Sequence, residues 1–283
     1  MNNEKEIQSK IDDALLRKRK GWTFGFDKLD DLAGRMEKGQ VITLGGMTGT
    51  GKSYFVLNMI DGIRTEWVEN TDEEFEPPKI AVFTTEMEGV SYELRHICMN
   101  AGVYWNTYKK NPELYYDRLQ KAKDDYYANK FVEPNFLQIF QVGALEEVEK
   151  ILKEVEIKPN IVIIDHVQNL TVKDKADNKD TMPVIGNRVR DIAKRFEVAL
   201  ICVSQINLSV LAKDSHPKKG NVQPFSWGKE LLQSSHVAIF LWRNIIEGNL
   251  DSNLSIGVIK AREGNKGWFD MFVGDGFKLV KIS

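Results

Sequence analysis

The chain has 283 residues, a formal net charge of −2 and 42% hydrophobic residues, which is enough for a large core and excludes disorder as its default state. A chain this close to neutral is not basic throughout, so any nucleic-acid site must be a local patch. No apolar run approaches about 18 residues, and Cys98 and Cys202 fit no metal spacing, so a cytoplasmic protein with buried thiols from a reducing compartment is expected.

Residues 4–20 read as an amphipathic helix, with Ile7, Ile11, Ala14 and Leu15 on one face and Arg17 to Lys20 at its C-terminal end. Gly21 follows as a C-cap. Two packings stay open for its apolar stripe: its own domain, or a second subunit in an arm-exchange geometry. Residues 1–20 are therefore expected to form a linker segment ahead of one large domain over 21–283. Val41–Gly45 then reads as a strand and Tyr54–Ile63 as a helix. Glu69–Pro78, acidic with paired prolines, reads as a loop. Ile80–Thr84 is an apolar strand, and Val90–Asn100 is helical. Trp105–Lys130 is rich in tyrosine and charge and also reads as helical; its tyrosine spacings fit amphipathic packing better than base stacking. Phe136–Phe140 reads as a strand, Leu145–Val155 as a helix, Ile161–Asp165 as a fully apolar strand ending in a carboxylate, Val184–Phe196 as a helix and Ala199–Ser204 as a buried strand. Val237–Trp242, Leu254–Lys260 and Trp268–Val273 are late strands, close enough together to form an antiparallel extension. Short apolar strands alternating with helices predict an α/β fold, a mostly parallel sheet covered on both faces.

Between the first strand and its helix lies Gly46-Met47-Thr48-Gly49-Thr50-Gly51-Lys52-Ser53, which matches the P-loop pattern in the strand–loop–helix context that the pattern needs. Gly46, Gly49 and Gly51 let the backbone wrap a phosphate chain, with Thr48 and Thr50 between them, and the following helix adds partial positive charge at its N-terminus. Lys52 is placed to reach the β- and γ-phosphates and Ser53 to ligate Mg²⁺, so ATP with Mg²⁺ is the expected ligand.

Ligands of such a sheet bind at the carboxyl ends of its strands. Three more polar residues stand at those ends. Asp165 has the character of a Walker B carboxylate that holds Mg²⁺ directly or through its waters. Glu86 is a general-base candidate, with Glu88 as a rival two residues on. Gln205 is an uncharged group able to touch a γ-phosphate and sense its loss. His166 is expected to point away from the nucleotide, because neighbours alternate on a strand.

Taken in order, these residues resemble the RecA-like motor domain of DnaB-type hexameric replicative helicases, including the phage ring helicases. Gly25-Phe26-Asp27-Lys28-Leu29-Asp30 resembles the family's lead-in, and Phe83-Thr84-Thr85-Glu86-Met87 its second motif, which favours Glu86 over Glu88. Val162 to Gln168 resembles the Walker B strand, Ala193-Lys194 through Asn207 the segment with the sensor glutamine, and Phe240-Leu241-Trp242-Arg243 the late strand. Ile259-Lys260-Ala261-Arg262-Glu263-Gly264 resembles the segment whose Lys and Arg act as fingers on the neighbouring subunit's nucleotide. The resemblance thus implies that Lys260 and Arg262 act in trans, a contribution worth about 10³-fold or more in rate. It also implies a hexamer, a single-stranded DNA substrate, and a primase or loader as a further partner.

The chain departs from the family in three places. By the resemblance it is expected to be a phage-like version without the N-terminal domain of cellular members. Gln233-Ser234-Ser235-His236 replaces an acidic pair after Gln, and Ser226-Trp227-Gly228-Lys229 differs from the usual loop. DNA contact is expected in two loops. Val172–Pro183 carries Lys173, Lys175 and Lys179 among three aspartates, while Leu208–Trp227 carries Lys213, Lys218 and Lys219 and is the better candidate. Two further readings share the fold: a RecA/Rad51-type recombinase or annealing ATPase, and a helicase loader that uses ATP as a switch.

Overall fold

Strand β1 (Val41–Gly46) is buried along its whole length, as a central strand covered on both faces must be. It is part of the computed structural model, which describes residues 21–69, 76–132, 136–173, 178–206, 229–246 and 249–281. The expected N-terminal helix, Lys175, and the second DNA loop with Lys213, Lys218 and Lys219 lie outside the described residues.

The remaining strands are β2 (Ile80–Thr84), β3 (Leu137–Gln141), β4 (Ile161–Asp165), β5 (Ala199–Gln205), β6 (Val237–Trp242), β7 (Ile245–Ile246), β8 (Asn249–Leu250), β9 (Asn253–Ala261), β10 (Gly267–Val273) and β11 (Leu279–Lys281). With β1, all of them but β7 and β8 form one nine-stranded sheet in the order β11-β10-β9-β6-β1-β5-β4-β2-β3. From β6 to β3 every pairing is parallel; from β6 outward to β11 every pairing is antiparallel. The expected parallel core with an antiparallel extension is what forms. Strands β7 and β8 make a separate small hairpin that the sequence pattern does not announce, because two-residue strands have no periodicity to read.

Helices cover both faces. The helices are α1 (Asp27–Ala33), α2 (Lys52–Glu69), α3 (Gly89–Asn100), α4 (Trp105–Lys110), α5 (Tyr116–Val132), α6 (Leu145–Glu154), α7 (Asn178–Arg195) and α8 (Lys229–Ser234). Strand alternation divides the core in two. Ile161 and Ile163 of β4 and Ile201 and Val203 of β5 pack with Phe55 and Ile60 of α2 and Tyr92 of α3. Val162, Ile164, Leu200 and Cys202 pack with Val148 and Leu152 of α6 and Ile185 and Val189 of α7. Both cysteines are buried, and burial alone pushes the Cys98 thiol up to about 11 and that of Cys202 to about 12, so they are inert.

Helix α7 corrects the sequence reading. Pro183 reads as a helix boundary in the sequence, yet the helix starts at Asn178 and carries Pro183 inside it. Lys179 therefore belongs to a helix and not to a loop. Trp105–Lys130 is one helical tract divided into α4, a single 3-10 turn (Pro112–Tyr115) and α5. Tyr126 of α5 is buried, with its ring packed edge-on against His96, in line with packing over base stacking.

The lead-in segment is fixed to α2 by backbone contact. A Cβ at Gly62 would lie 2.5 Å from both Cα and O of Gly25, so glycine is required where the two segments cross. Next to it, Asp30 accepts hydrogen bonds from the Phe24 amide (2.7 Å) and the Thr23 hydroxyl. Burial raises the Asp30 carboxyl to about 6 despite those bonds and the charge of Arg35.

Candidate functional site

The strand order decides the site. Because β1, β5, β4 and β2 are consecutive neighbours, their carboxyl ends form one line. Gly46 pairs with Gln205, Asp165 with Val203, and Thr84 with Asp165. The P-loop, Gln205, Asp165 and the Thr85–Glu86 segment therefore stand side by side. This is why four residues scattered from 46 to 205 in sequence meet.

Within the P-loop, Gly49 (φ +80°) and Gly51 (φ +96°) adopt left-handed conformations that disfavour other residues. The Lys52 ammonium is buried and donates to the carbonyls of Gly46 (3.0 Å) and Met47 (2.9 Å), while the Thr50 hydroxyl also donates to Met47 O (2.9 Å). These bonds hold the loop in shape. Burial lowers the Lys52 pKa to about 8, against the attraction of Asp165 and Glu86. The Gln205 side-chain amide donates to the Thr48 hydroxyl, so β5 touches the loop directly.

Asp165 continues the alternation of Ile161 and Ile163 and so lies on the α2 face of the sheet, with Ser53. Burial pushes its pKa up, opposed by His166, Ser53 and Lys52. Ser53 is a polar neighbour of the carboxyl, yet both carboxylate oxygens are buried without completing a hydrogen bond. A buried, unsatisfied carboxylate beside a hydroxyl and below a phosphate cradle fits a hard divalent cation with mostly water and phosphate ligands. Among the described residues no cluster of three or more His, Cys, Asp or Glu side chains surrounds a metal position.

Glu86 is half exposed and faces the same space. Its Oε1 accepts from Asn169 Nδ2 at 2.8 Å and lies 3.7 Å from His166 Nδ1. Glu88 instead precedes the first residue of α3 and is exposed. His166 does not point away from the site. Its Nδ1 is 3.3 Å from Asp165 Oδ1, because β4 ends at Asp165 and alternation no longer applies beyond it. The Asp165–His166 peptide is cis. The Thr85 hydroxyl accepts from His166 N (3.0 Å) and donates to His166 O (3.1 Å), tying the two strand ends together.

Lys260 and Arg262 lie at the opposite edge. Lys260 pairs with Ala238, which pairs with Thr43; Arg262 N bonds His236 O, and His236 N bonds Val41 O. Arg262 is thus level with the start of β1, about 16 Å along the strand from Gly46 and two strands to the side. The Lys260 ammonium donates to the carbonyls of Leu232 and Gln233 at the C-terminus of α8, where Arg190 also contacts Gln233 O. Arg262 is exposed. Burial, with the charges of Arg262, Arg190 and Lys260 around it, holds the His236 imidazole below its usual pKa. Ser235 and His236, where the family resemblance breaks, are structural here. The Ser235 hydroxyl meets that of Thr43, and His236 Nδ1 accepts from Val41 N (3.0 Å), so both secure the start of β1.

A model of the DnaB-like helicase C-terminal domain matches residues 21–278. The chain belongs to that family. Its relatives include the replicative DNA helicase DnaB of Mycoplasma pneumoniae, 26% identical over 70% of this chain and 42% of that protein. The DnaB of Geobacillus stearothermophilus is 22% identical over 91% of this chain and 56% of the relative. The chain therefore spans about half the length of the curated relatives it matches. In fold it is similar to a DnaB-like replicative helicase solved in a study of its interactions with primase, with a TM-score of 0.80 at 15% identity over 99% of this chain and 67% of that one. It is also similar to a second solved structure, an ATPase domain on its own, with a TM-score of 0.78 at 16% identity over 99% and 98% of the two chains. The RecA-like fold expected of this DnaB-like domain is thus present.

Four features of the site were not assigned from sequence. Gln168 and Asn169 lie in a turn after β4 and Thr85 lies just past the end of β2, and such residues carry no periodic signal. The fourth is aromatic. Phe277 (φ +70°) stacks on Tyr54 at 4.4 Å between ring centroids, with the Arg243 guanidinium 5.6 Å from its ring, and it borders Gly51 of the P-loop. A separate cavity of about 470 Å³ between α2, α3 and α5 is lined by Asp61, Arg64 and His96 and by no P-loop residue. Among the described residues no helix is long and apolar enough to cross a membrane.

Proposed function

We propose that this chain is the motor of a ring-shaped replicative helicase, which hydrolyses ATP at subunit interfaces, moves on single-stranded DNA and unwinds duplex. The observation that carries the reading is the separation of the two halves of the chemistry. Lys52, Ser53, Glu86, Asp165 and Gln205 line one edge of the sheet, and a basic cluster of Arg190, His236, Lys260 and Arg262 lies at the other. No movement of a side chain spans that distance, so Arg262 meets a nucleotide only on another copy of the chain. This is a heterologous interface, which closes into a ring where the rotation between copies closes and otherwise continues as a filament.

In this reading the P-loop amides and Lys52 hold the phosphates, and Ser53 and Asp165 hold Mg²⁺. When bound, Mg²⁺ offsets charge on the β- and γ-phosphate oxygens. Glu86 orients the attacking water and takes its proton. Gln205 leaves Thr48 for the γ-phosphate and returns when it is lost. Arg262 of the adjacent copy neutralises charge that builds on the γ-phosphate. Lys260, engaged with the end of α8, positions this edge and does not need to reach the phosphate itself. Single-stranded DNA as the track, with Lys213, Lys218 and Lys219 as phosphate contacts, and a primase or loader as partner belong to the same proposal.

The test is strand displacement on a forked duplex with ATP, run beside a mass measurement in solution. The wild-type chain is expected to form a hexamer and separate the strands, and Lys52→Ala is expected not to. A chain that binds DNA and hydrolyses ATP without ever separating strands would replace the helicase reading with a recombinase or a loader.

A further inference from the structure

The short 3-10 turn Val167–Asn169 directly after β4 makes hydrogen bonds in two directions. On one side, Gln168 Nε2 donates to Gln205 O (3.0 Å) and Gln168 Oε1 accepts from Gln205 N (2.9 Å). A side-chain amide thereby takes both backbone groups of one residue, the pairing that a neighbouring strand would make. It extends the β4–β5 contact past the last ladder pair, Asp165 with Val203. On the other side, Asn169 Nδ2 donates to Glu86 Oε1 (2.8 Å). Adjacent residues of one turn thus hold the sensor strand and the base.

We propose that this turn is a two-armed bracket, in which Gln168 positions Gln205 and Asn169 positions Glu86 so that sensing and hydrolysis keep one geometry. The inference rests on the reading of Glu86 and Gln205 given above and adds two positioning residues to it. Glu86 is half exposed, and an exposed glutamate samples several rotamers. One donor on Oε1 narrows that set and leaves Oε2 to face the water. The donor is neutral, so it orients the carboxylate without competing for its negative charge as a lysine would. The sensor arm works through the backbone. Gln205 cannot swing between Thr48 and a phosphate reproducibly unless its own main chain is fixed, and Gln168 fixes both ends of that residue. Thr85, bonded to both backbone groups of His166, braces the base of the bracket against β2.

The experiment is a pair of double-mutant cycles read by steady-state ATPase on the full chain. Asn169→Leu is expected to lower kcat about 10- to 100-fold with KM for ATP changed less than about threefold. Asn169→Gln, which keeps an amide donor, is expected to lose less. Glu86→Asp retains a base but withdraws the carboxylate by one methylene from Asn169. On that background Asn169→Leu is expected to cost less than about twofold, because the contact is already gone. Gln168→Met is expected to lower kcat about tenfold alone and less than about twofold on Gln205→Ala. If the leucine variant does not fold, Asn169→Asp has the same shape and decides the matter by the same cycle. Equal losses on the wild-type and altered backgrounds would overturn the bracket while leaving the motor intact, as would full activity of Asn169→Leu. A wild-type chain with no ATPase at all would instead overturn the nucleotide reading, and the bracket with it.

Discussion

Gln205, the last residue of β5, donates from its side-chain amide to the hydroxyl of Thr48 in the P-loop. The two residues are 157 positions apart in sequence, and the contact exists because β5 is the direct neighbour of β1. A residue that touches the phosphate cradle is well placed to contact the γ-phosphate of a nucleotide held there. We predict that Gln205→Ala binds ATP within about threefold of wild type but turns over about 10- to 100-fold more slowly, since the lost interaction is made mainly as charge moves onto the phosphate. Steady-state ATPase with separate KM and kcat checks this. A rise in KM at unchanged kcat would make Gln205 a simple binding residue.

The opposite sheet edge yields a complementation test. Lys52→Ala and Arg262→Ala are each expected to abolish most ATPase, for different reasons. In a one-to-one mixture of the two, about a quarter of the interfaces combine an intact P-loop with an intact Arg262 if subunits assemble at random. ATPase is therefore expected to rise above either parent after mixing under conditions that exchange subunits. No recovery in mixed rings confirmed by mass would mean that Arg262 serves its own subunit or none.

How much of this is legible in the sequence depends on how each residue advertises itself. Asp165 and Gln205 end continuous apolar strands, Glu86 follows one closely, and Lys52 sits in a glycine pattern with few other uses. Those signals are local, and all four residues fall into one line. Lys260 and Arg262 are legible only by resemblance, since nothing in their spacing says which edge of the sheet they occupy; the antiparallel turn-back of β9 on β6 settles that. His166 departs from expectation because strand alternation stops with β4, one residue before it. Gln168 is visible only as the end of the segment that resembles the Walker B strand, and neither its partner nor that of Asn169 can be read, because both are reached across other strand ends. The Gly25–Gly62 contact is likewise a crossing of two segments, invisible to any window of neighbouring residues.

Asp30 makes stability depend on pH in an unusual direction. Its carboxyl is raised from 3.8 to about 6 on folding, chiefly by burial. A raised carboxyl favours the native state most when protonated. Its contribution is therefore fully present below about pH 4, is lost as pH rises toward 6, and stays absent above that. The span corresponds to roughly 3 kcal/mol, or several degrees in Tm for a chain of this size. Asp30→Asn keeps an acceptor for the Phe24 amide and is expected to gain stability relative to wild type at pH 8 but not at pH 4. Thermal unfolding of both proteins at the two pH values checks this, and a difference that does not change with pH would mean Asp30 is charged throughout.

Phe277 carries the last prediction. Its ring stacks on Tyr54, the second residue after Lys52, and borders Gly51, so it presents an aromatic edge where the cradle opens. Tyr104 meets it edge-on and Arg243 lies over it, which fixes the ring from two further sides. A rigid aromatic beside a phosphate site is suited to carry the base of a nucleotide, with stacking worth about 1–3 kcal/mol by the measure of other aromatic platforms. Phe277→Ala is then expected to raise KM for ATP about 5- to 100-fold with little change in kcat, because the base is held equally in ground and transition states. Phe277→Tyr is expected to stay near wild type. The same assay with inorganic tripolyphosphate separates this from damage to the P-loop: a polyphosphate has no base, so its binding should not change. Equal loss for ATP and tripolyphosphate would show that Phe277 supports the fold of the loop around Gly51 and holds no base.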